Sequence, residues 1–303
     1  MKLTALGTGG GVPSLYRGLP AFALERKGEV FLFDCGEGTQ FRIMRSQIKP
    51  GKLQKIFISH FHGDHILGLT GLLMTLSQFS REKPLELYGP PGIKKFIEDM
   101  KRHLNFRLDY ELIINEVAGG EIFRNKEYSI SAMPLSHIIF NLAYKIEETE
   151  RPGKFYPDKA IKLGVKPGPL FKQLQNGKSV ELPDGRIVYP QEVTGPKRRG
   201  RKIVYATDTN PIDEMVEFAM YADLLMHDGM FAEEDGEMAI ERGHSSVKDA
   251  ANIAKRAKVK RLMLIHISPR YGDGEILLEK ARVIFPNTII ARDYTTLEIP
   301  YED

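Results

Sequence analysis

The sequence predicts an α/β protein built in layers, with strand-rich segments interrupted by helices in each half of the chain. Three observations lead there. Short apolar runs of strand length recur from end to end, stretches of helical spacing separate them, and side chains of metal-binding type stand just after several of the runs. That pattern suits two sheets packed face to face with helices outside, although other α/β layerings satisfy the periodicity equally well.

Taken in order, strands are expected near residues 2–6, 20–25 and 29–34, then a helix near 37–46. The run KIFIS forms a strand at 55–59, and ILGLTGLLMTLSQF, at 66–79, has the length and apolar spacing of a helix. A strand at 85–88 and a helix at 91–103 follow, with strands at 110–115, 128–133 and 142–147. In the second half KIVYA predicts a strand at 202–206, followed by a helix at 211–220 and a strand at 223–226. Helices at 246–257 (Ser246 a plausible cap) and 274–284 alternate with strands at 261–265 and 294–299.

Length and composition fit one enzyme domain over residues 1–303, since α/β folds of this size are often single, and 42% hydrophobic residues suffice for a large core. The lone Cys35 excludes an internal disulfide and fits a reducing compartment. With no signal-peptide core and no run of about 18 apolar residues, the expectation is a cytoplasmic protein without a membrane segment.

The run Ser59-His60-Phe61-His62-Gly63-Asp64-His65 carries the chemistry. Four nitrogen and oxygen ligands within six residues are hard to assign to packing, and they sit between a strand and a helix, where open α/β layers place their sites. His60 and His62, two apart, can converge on one ion while Asp64 and His65 turn toward a neighbouring one. Four ligands from one loop would crowd a single tetrahedral ion that keeps an open position, so two ions are expected. Three more polar residues follow apolar strands in the same manner: His137 after SISAMPL, Asp208 after KIVYA and His266 after RLMLI. Each alone is more often a structural hydrogen-bonder; with the first motif they complete two coordination spheres. The Gly7 to Gly11 run lacks both a Gly-Lys-Ser/Thr sequence and the dinucleotide-binding spacing, and reads as a tight turn beside the site.

Residues 151–202 break the pattern. Thirteen Lys or Arg stand there against four Asp or Glu, a net +9 in a chain whose total is +3, so the remainder is −6. Seven Pro and seven Gly in the same stretch argue against a packed core and for an extended arm. Lys and Arg contacts to phosphates supply most sequence-independent nucleic-acid affinity, so such an arm suits a folded RNA held by its backbone.

Gly7 to Gly11, Asp34-Cys35-Gly36-Glu37-Gly38-Thr39-Gln40, the histidine run, Leu87-Tyr88-Gly89-Pro90, Ala206-Thr207-Asp208-Thr209, Gly243-His244-Ser245 and His266-Ile267-Ser268-Pro269-Arg270-Tyr271 together resemble the metallo-β-lactamase superfamily and, within it, the tRNase Z family. The resemblance implies a four-layer αββα sandwich with an inserted, projecting basic arm at 151–200 that binds tRNA. It implies two Zn²⁺ per subunit, Mn²⁺ being possible, with His60, His62 and His137 on one ion, Asp64, His65 and His266 on the other, and Asp208 bridging. It further implies a homodimeric endoribonuclease that removes the 3′ trailer of precursor tRNA, leaving a 3′-hydroxyl, by in-line attack of a metal-bridging hydroxide. Asp64 would orient the nucleophile and His244 would be the acid for the leaving oxygen, with Asp228 a candidate for orienting His244. Pro13 to Gly18 occupies the place of a family loop that touches the tRNA 3′ end, Pro13 and Arg17 being its best matches. His103 reads as an ordinary helix-surface residue. A small-substrate phosphodiesterase is the alternative activity, and a catalytically silent RNA-binding protein is disfavoured because every ligand position keeps a ligand.

Overall fold

The computed structural model describes residues 1–302. In chain order its elements are β1 (Lys2–Gly7), β2 (Ala21–Arg26), β3 (Glu29–Phe33), α1 (Thr39–Arg45), β4 (Leu53–Phe57), α2 (Gly63–Ile66), α3 (Gly68–Gln78), β5 (Leu85–Gly89), α4 (Ile93–Leu104), β6 (Leu112–Glu116), β7 (Gly120–Arg124), β8 (Tyr128–Leu135) and β9 (Asn141–Glu148). Then come α5 (Pro157–Lys162), α6 (Pro169–Gln175), β10 (Val180–Glu181), β11 (Ile187–Val188) and α7 (Pro190–Val193). The chain continues through β12 (Lys202–Ala206), α8 (Asp213–Phe218), β13 (Leu224–Asp228), α9 (Gly236–Glu241), α10 (Val247–Arg256), β14 (Leu262–Ile265), α11 (Glu275–Ile284), β15 (Thr288–Ile290) and β16 (Thr296–Glu298).

Two seven-stranded sheets form, one in the order β16-β1-β2-β3-β4-β5-β6 and the other β15-β14-β13-β12-β9-β8-β7. Both are mixed: β3 to β6 and β12 to β15 run parallel, while β1 to β3 and the β7–β8 pair are antiparallel. The alternation of side chains along each strand explains the layering. On the first sheet Val30, Leu32, Ile56 and Ile58 pack with Leu69, Leu72, Leu73, Ile93 and Ile97 of α3 and α4. Their neighbours Phe31, Phe33 and Phe57 point the other way, and Phe33 stacks on Tyr205 of β12 at 5.2 Å while Phe57 meets Tyr144 of β9 at 5.2 Å. On the second sheet Val204, Leu225, Leu262 and Leu264 meet Met215, Val247, Ala250, Ala251, Leu277 and Ala281 of α8, α10 and α11. Helices, sheet, aromatic seam, sheet and helices give the expected αββα order.

The differences from the sequence reading are local. The helix expected at 66–79 is two helices, α2 and α3, meeting at Leu67. Strands β7 and β15 were not anticipated: β7 is half exposed behind the turn-like Gly119-Gly120, and β15 has only three residues. The largest departure lies in the basic segment. Backbone proximity divides the described chain into one compact unit of 1–124, 129–146 and 202–299 and a second of 125–128, 147–201 and 300–303, whose last residue lies outside the described ones. The second unit is not an extended arm without a core. Ala160, Val165, Leu174, Val180, Leu182, Val188 and Val193 are buried together, flanked by Phe155 and Phe171. Its prolines open α5, α6 and α7, where a missing N–H costs nothing, so they start helices instead of preventing them. His103 is exposed on α4, as expected for a surface position.

Candidate metal centre

The strand ends set the geometry. Asp34 follows β3, Asp208 follows β12 and His266 follows β14, and all three take positive φ, at 54°, 49° and 59°. Asp and His tolerate this region better than most residues, and cramped backbone at the end of a strand is where functional side chains collect. At Asp208 the turn is fixed from outside: the Asn141 amide donates to the carbonyls of both Thr207 and Asp208 at 2.8 Å. Gly10 lies so near His266 that a Cβ would fall 2.6 Å from the imidazole ring, which is why the amino-terminal turn is glycine there. The next residue, Gly11, donates its N–H to Asp64 Oδ2 at 2.8 Å.

All seven anticipated ligands come together. His60, His62, His137 and Asp208 offer ligand atoms within 4.8 Å of one another, as do Asp64, His65 and His266. Asp208 faces both sets: Oδ2 is 3.6 Å from His60 Nε2, and Oδ1 is 3.3 Å from His65 Nε2 and 3.4 Å from His266 Nε2. His137 gives its Nδ1–H to the carbonyl of Gly243 at 2.8 Å, which leaves Nε2 as a bare lone pair 3.2 Å from His62 Nδ1. His65 gives its Nδ1–H to Asp34 at 2.7 Å, and its Nε2 stands 3.3 Å from His266 Nε2. His60 Nε2 is buried with no hydrogen-bond partner.

Electrostatics point the same way. Burial, then the neighbouring His65, pushes the His60 pKa well below the usual imidazole value, and burial likewise lowers His62 and His137, so three nitrogens stay neutral and able to donate electron pairs. For His65 burial acts against the cation, yet the carboxylates of Asp208 and Asp34 overcome it and hold the ring charged. A pocket that forces a proton onto a fully buried imidazole is short of positive charge. Converging lone pairs and unbalanced carboxylates together fit a divalent cation in each set.

His244 stands at the edge of the same cluster, its ring 5.2 Å from those of His137 and His266. Its Nδ1–H is donated to Asp228 Oδ2 at 2.8 Å, and Asp228 is itself held by the N–H groups of Thr209 and Met230. Burial opposes the imidazolium, but the charge and hydrogen bond of Asp228 outweigh it, raising the pKa to about 8. Ser246 caps α10 through a reciprocal bond with Asp249, so the cap and the imidazole are separate devices. His227 belongs to neither set; it is fully buried, with Nδ1 2.9 Å from the carbonyl of Asp228.

One anticipated role does not stand as read. Arg17 is buried, and its guanidinium donates to Thr8 Oγ1 at 2.8 Å and to the carbonyls of Ala291 and Asp273 at 2.6 Å. Its donors are spent inside the fold. In that loop Leu15 and Tyr16 reach solvent, at 97% and 82% exposure, and Pro13 is exposed beside them. In the other direction, sequence reasoning gave no role to Asp34 beyond its motif. It stands at a strand end as His60 does, and the same rule could have found it.

The family described as "Beta-lactamase superfamily domain" matches residues 192–267, and that described as "Anti-Pycsar protein Apyc1" matches residues 1–144. The chain is 44% identical over 303 residues to the ribonuclease Z of Methanothermobacter thermautotrophicus, covering 100% of this chain and 98% of that one. It is 45% identical to the ribonuclease Z of Methanosarcina acetivorans, covering 99% of each. Among solved structures it is similar to the short form of human tRNase Z, with a TM-score of 0.75, 29% identity, and coverage of 99% of this chain and 100% of that one. The metallo-β-lactamase fold protein YhfI of Bacillus subtilis shares the fold, with a TM-score of 0.69, 19% identity and 98% coverage of each chain.

Proposed function

This chain belongs to the ribonuclease Z family, and on that premise we propose that it cleaves the 3′ trailer from precursor tRNA, leaving a 3′-hydroxyl. The observation that carries the reading is the double set of converging nitrogen and oxygen donors with Asp208 between them. His60, His62 and His137 would hold one divalent cation, Asp64, His65 and His266 the other, and Asp208 would face both; zinc is the metal that this nitrogen-rich set favours, manganese being the alternative that the family resemblance implies. Such a pair supplies the charge that lowers the pKa of a water and stabilises the oxygens of an in-line displacement at phosphorus.

The chain's own groups do the rest. Asp64, fixed by the N–H of Gly11, orients the attacking water. His244, with its Nδ1–H committed to Asp228, carries a proton on Nε2 for the departing 3′-oxygen, as a poor alkoxide leaving group requires. The second unit binds the folded RNA: Lys154, Lys162, Lys166, Lys172 and Lys178 are exposed there, and none of them enters an ion pair among the described residues. A homodimer is supported by exposed apolar side chains on two neighbouring elements, Phe41 and Met44 of α1 and Met74 of α3, together with Leu67 and Phe79 at the ends of α3. A cytoplasmic location is supported by Cys35, which is buried and unpaired, and no helix among the described residues is long and apolar enough to cross a membrane.

The test is to incubate the purified chain with zinc or manganese and a precursor tRNA and to map the product ends. A tRNA ending in a 3′-hydroxyl at the trailer junction is expected. Cleavage of a chromogenic phosphodiester with intact RNA would overturn the assignment in favour of a small-substrate phosphodiesterase.

A further inference from the structure

Tyr205 lies on β12, three residues before Asp208, and its side chain is fully buried in the seam between the sheets. Its ring stacks on Phe33 at 5.2 Å, and its hydroxyl donates to Asp34 Oδ2 at 2.6 Å. That carboxylate is unusually busy. Oδ1 accepts the Ser59 N–H at 2.7 Å, while Oδ2 also accepts the Ser59 hydroxyl at 2.8 Å and the His65 Nδ1–H at 2.7 Å.

The proton count then decides two tautomers. A carboxylate only accepts, so the Ser59 hydroxyl spends its single proton on Asp34 and offers only lone pairs to anything else. His60 Nδ1 lies 2.9 Å from that hydroxyl oxygen, so it must be the donor there. His60 is thereby fixed with its proton on Nδ1 and a bare Nε2, the atom left without a partner beside Asp208. On His65 the Nδ1–H is held directly by Asp34, so the proton given up when a cation takes this ring is the one on Nε2. The two histidines belong to different ligand sets.

We propose that Tyr205, Asp34 and Ser59 form one tautomer lock serving both cation positions, with Tyr205 and Ser59 as positioning residues that act through His65 and His60. The lock rests on the metal-centre reading above. It also spans the seam: Asp34 follows a strand of one sheet, and Tyr205 lies in the other. Removing the Tyr205 hydroxyl takes one of three donors from Oδ2 and frees the carboxylate to swing, which loosens both imidazoles. Removing the Ser59 hydroxyl also takes a donor from Oδ2, and in addition strips His60 Nδ1 of its acceptor, so His60 loosens more than His65. Loss of such an outer hydrogen bond typically weakens metal binding about 10–100-fold.

The experiment is competition between the full-length chain and a fluorescent zinc chelator, resolving the two stepwise affinities, together with imidazole ¹⁵N NMR of the metal-free protein. Wild type should show the Nδ1–H tautomer for His60 and, for His65, an Nδ1–H held on Asp34 in a ring that keeps its second proton until zinc takes Nε2. In Tyr205→Phe both stepwise affinities should fall at least about tenfold, the His60 tautomer signal should become mixed and the His65 Nδ1–H signal should shift, with the melting temperature recorded in parallel. Ser59→Ala should weaken one affinity more than the other and mix the His60 signal while shifting the His65 signal less. Wild-type zinc affinity with unchanged imidazole signals in Tyr205→Phe would overturn the lock, as would a Ser59→Ala chain in which His60 keeps a pure Nδ1–H tautomer. A wild-type chain that binds no zinc would instead overturn the metal-centre reading.

Discussion

The two compact units encode their work in different ways. In the larger one, chemistry sits at single residues: His60, His137, Asp208 and His266 each stand just beyond the apolar strand that aims them, and a shift of one position would turn the side chain to the other face. In the smaller one, no residue is singled out. Its content is a surplus of Lys and Arg, most of them in the segments that flank or connect its short helices, around a small apolar core. A metal centre fails when one ligand is lost, whereas a phosphate-binding surface is weakened in increments.

Substitutions can break or sharpen that contrast. The largest effect is expected at Asp208, the residue that faces both ligand sets. Asp208→Ala should lose zinc and reduce cleavage of precursor tRNA and of a nitrophenyl phosphodiester alike, to below about a thousandth of wild type. Elemental analysis alongside initial rates measures this; retained zinc and turnover would contradict it. Next comes His244→Ala, which should keep its zinc and lose about 10²–10⁴-fold in tRNA cleavage. Nitrophenolate leaves without a proton, so the loss on the chromogenic substrate should be far smaller; equal losses would take the acid role from His244.

In the smaller unit, replacing Lys166, Lys172 and Lys178 by Ala should raise KM for precursor tRNA and leave the phosphodiester rate unchanged. The slope of log KM against log salt should fall by about 0.7–0.9 for each phosphate that is no longer neutralised. A parallel drop in both activities would show that these lysines act on the centre itself. The smallest catalytic effect is expected from Leu174→Ala, in the apolar core of that unit. It should cost about 2–5 kcal/mol locally, seen as early amide exchange over 157–193, while phosphodiester hydrolysis proceeds at the wild-type rate.

Much of this was legible in the chain. Strand periodicity and the His-x-His-x-Asp-His run located most of the strands and the residues proposed as ligands at their ends, because a side chain just past a strand is tied to a pattern of period two. Asp228 was visible as a neighbour of the acid, and the structure seats it on His244 Nδ1. What escaped depended on tertiary partners. Tyr205 reads as one more core aromatic until its hydroxyl is seen on Asp34, and Arg17 reads as part of a loop that touches the tRNA 3′ end until Thr8, Ala291 and Asp273 are seen to absorb its donors. The basic segment misled for a different reason. Pro and Gly were read as obstacles to packing, whereas Pro157, Pro169 and Pro190 open helices that bury Ala160, Leu174 and Val193.

The most direct measurement is anomalous diffraction at the zinc absorption edge on crystals of the full chain grown with zinc. Two peaks about 3.5–4 Å apart are predicted, one among His60, His62 and His137, the other among Asp64, His65 and His266, with one Asp208 oxygen on each. A single peak, or two peaks with Asp208 touching neither, would contradict the account.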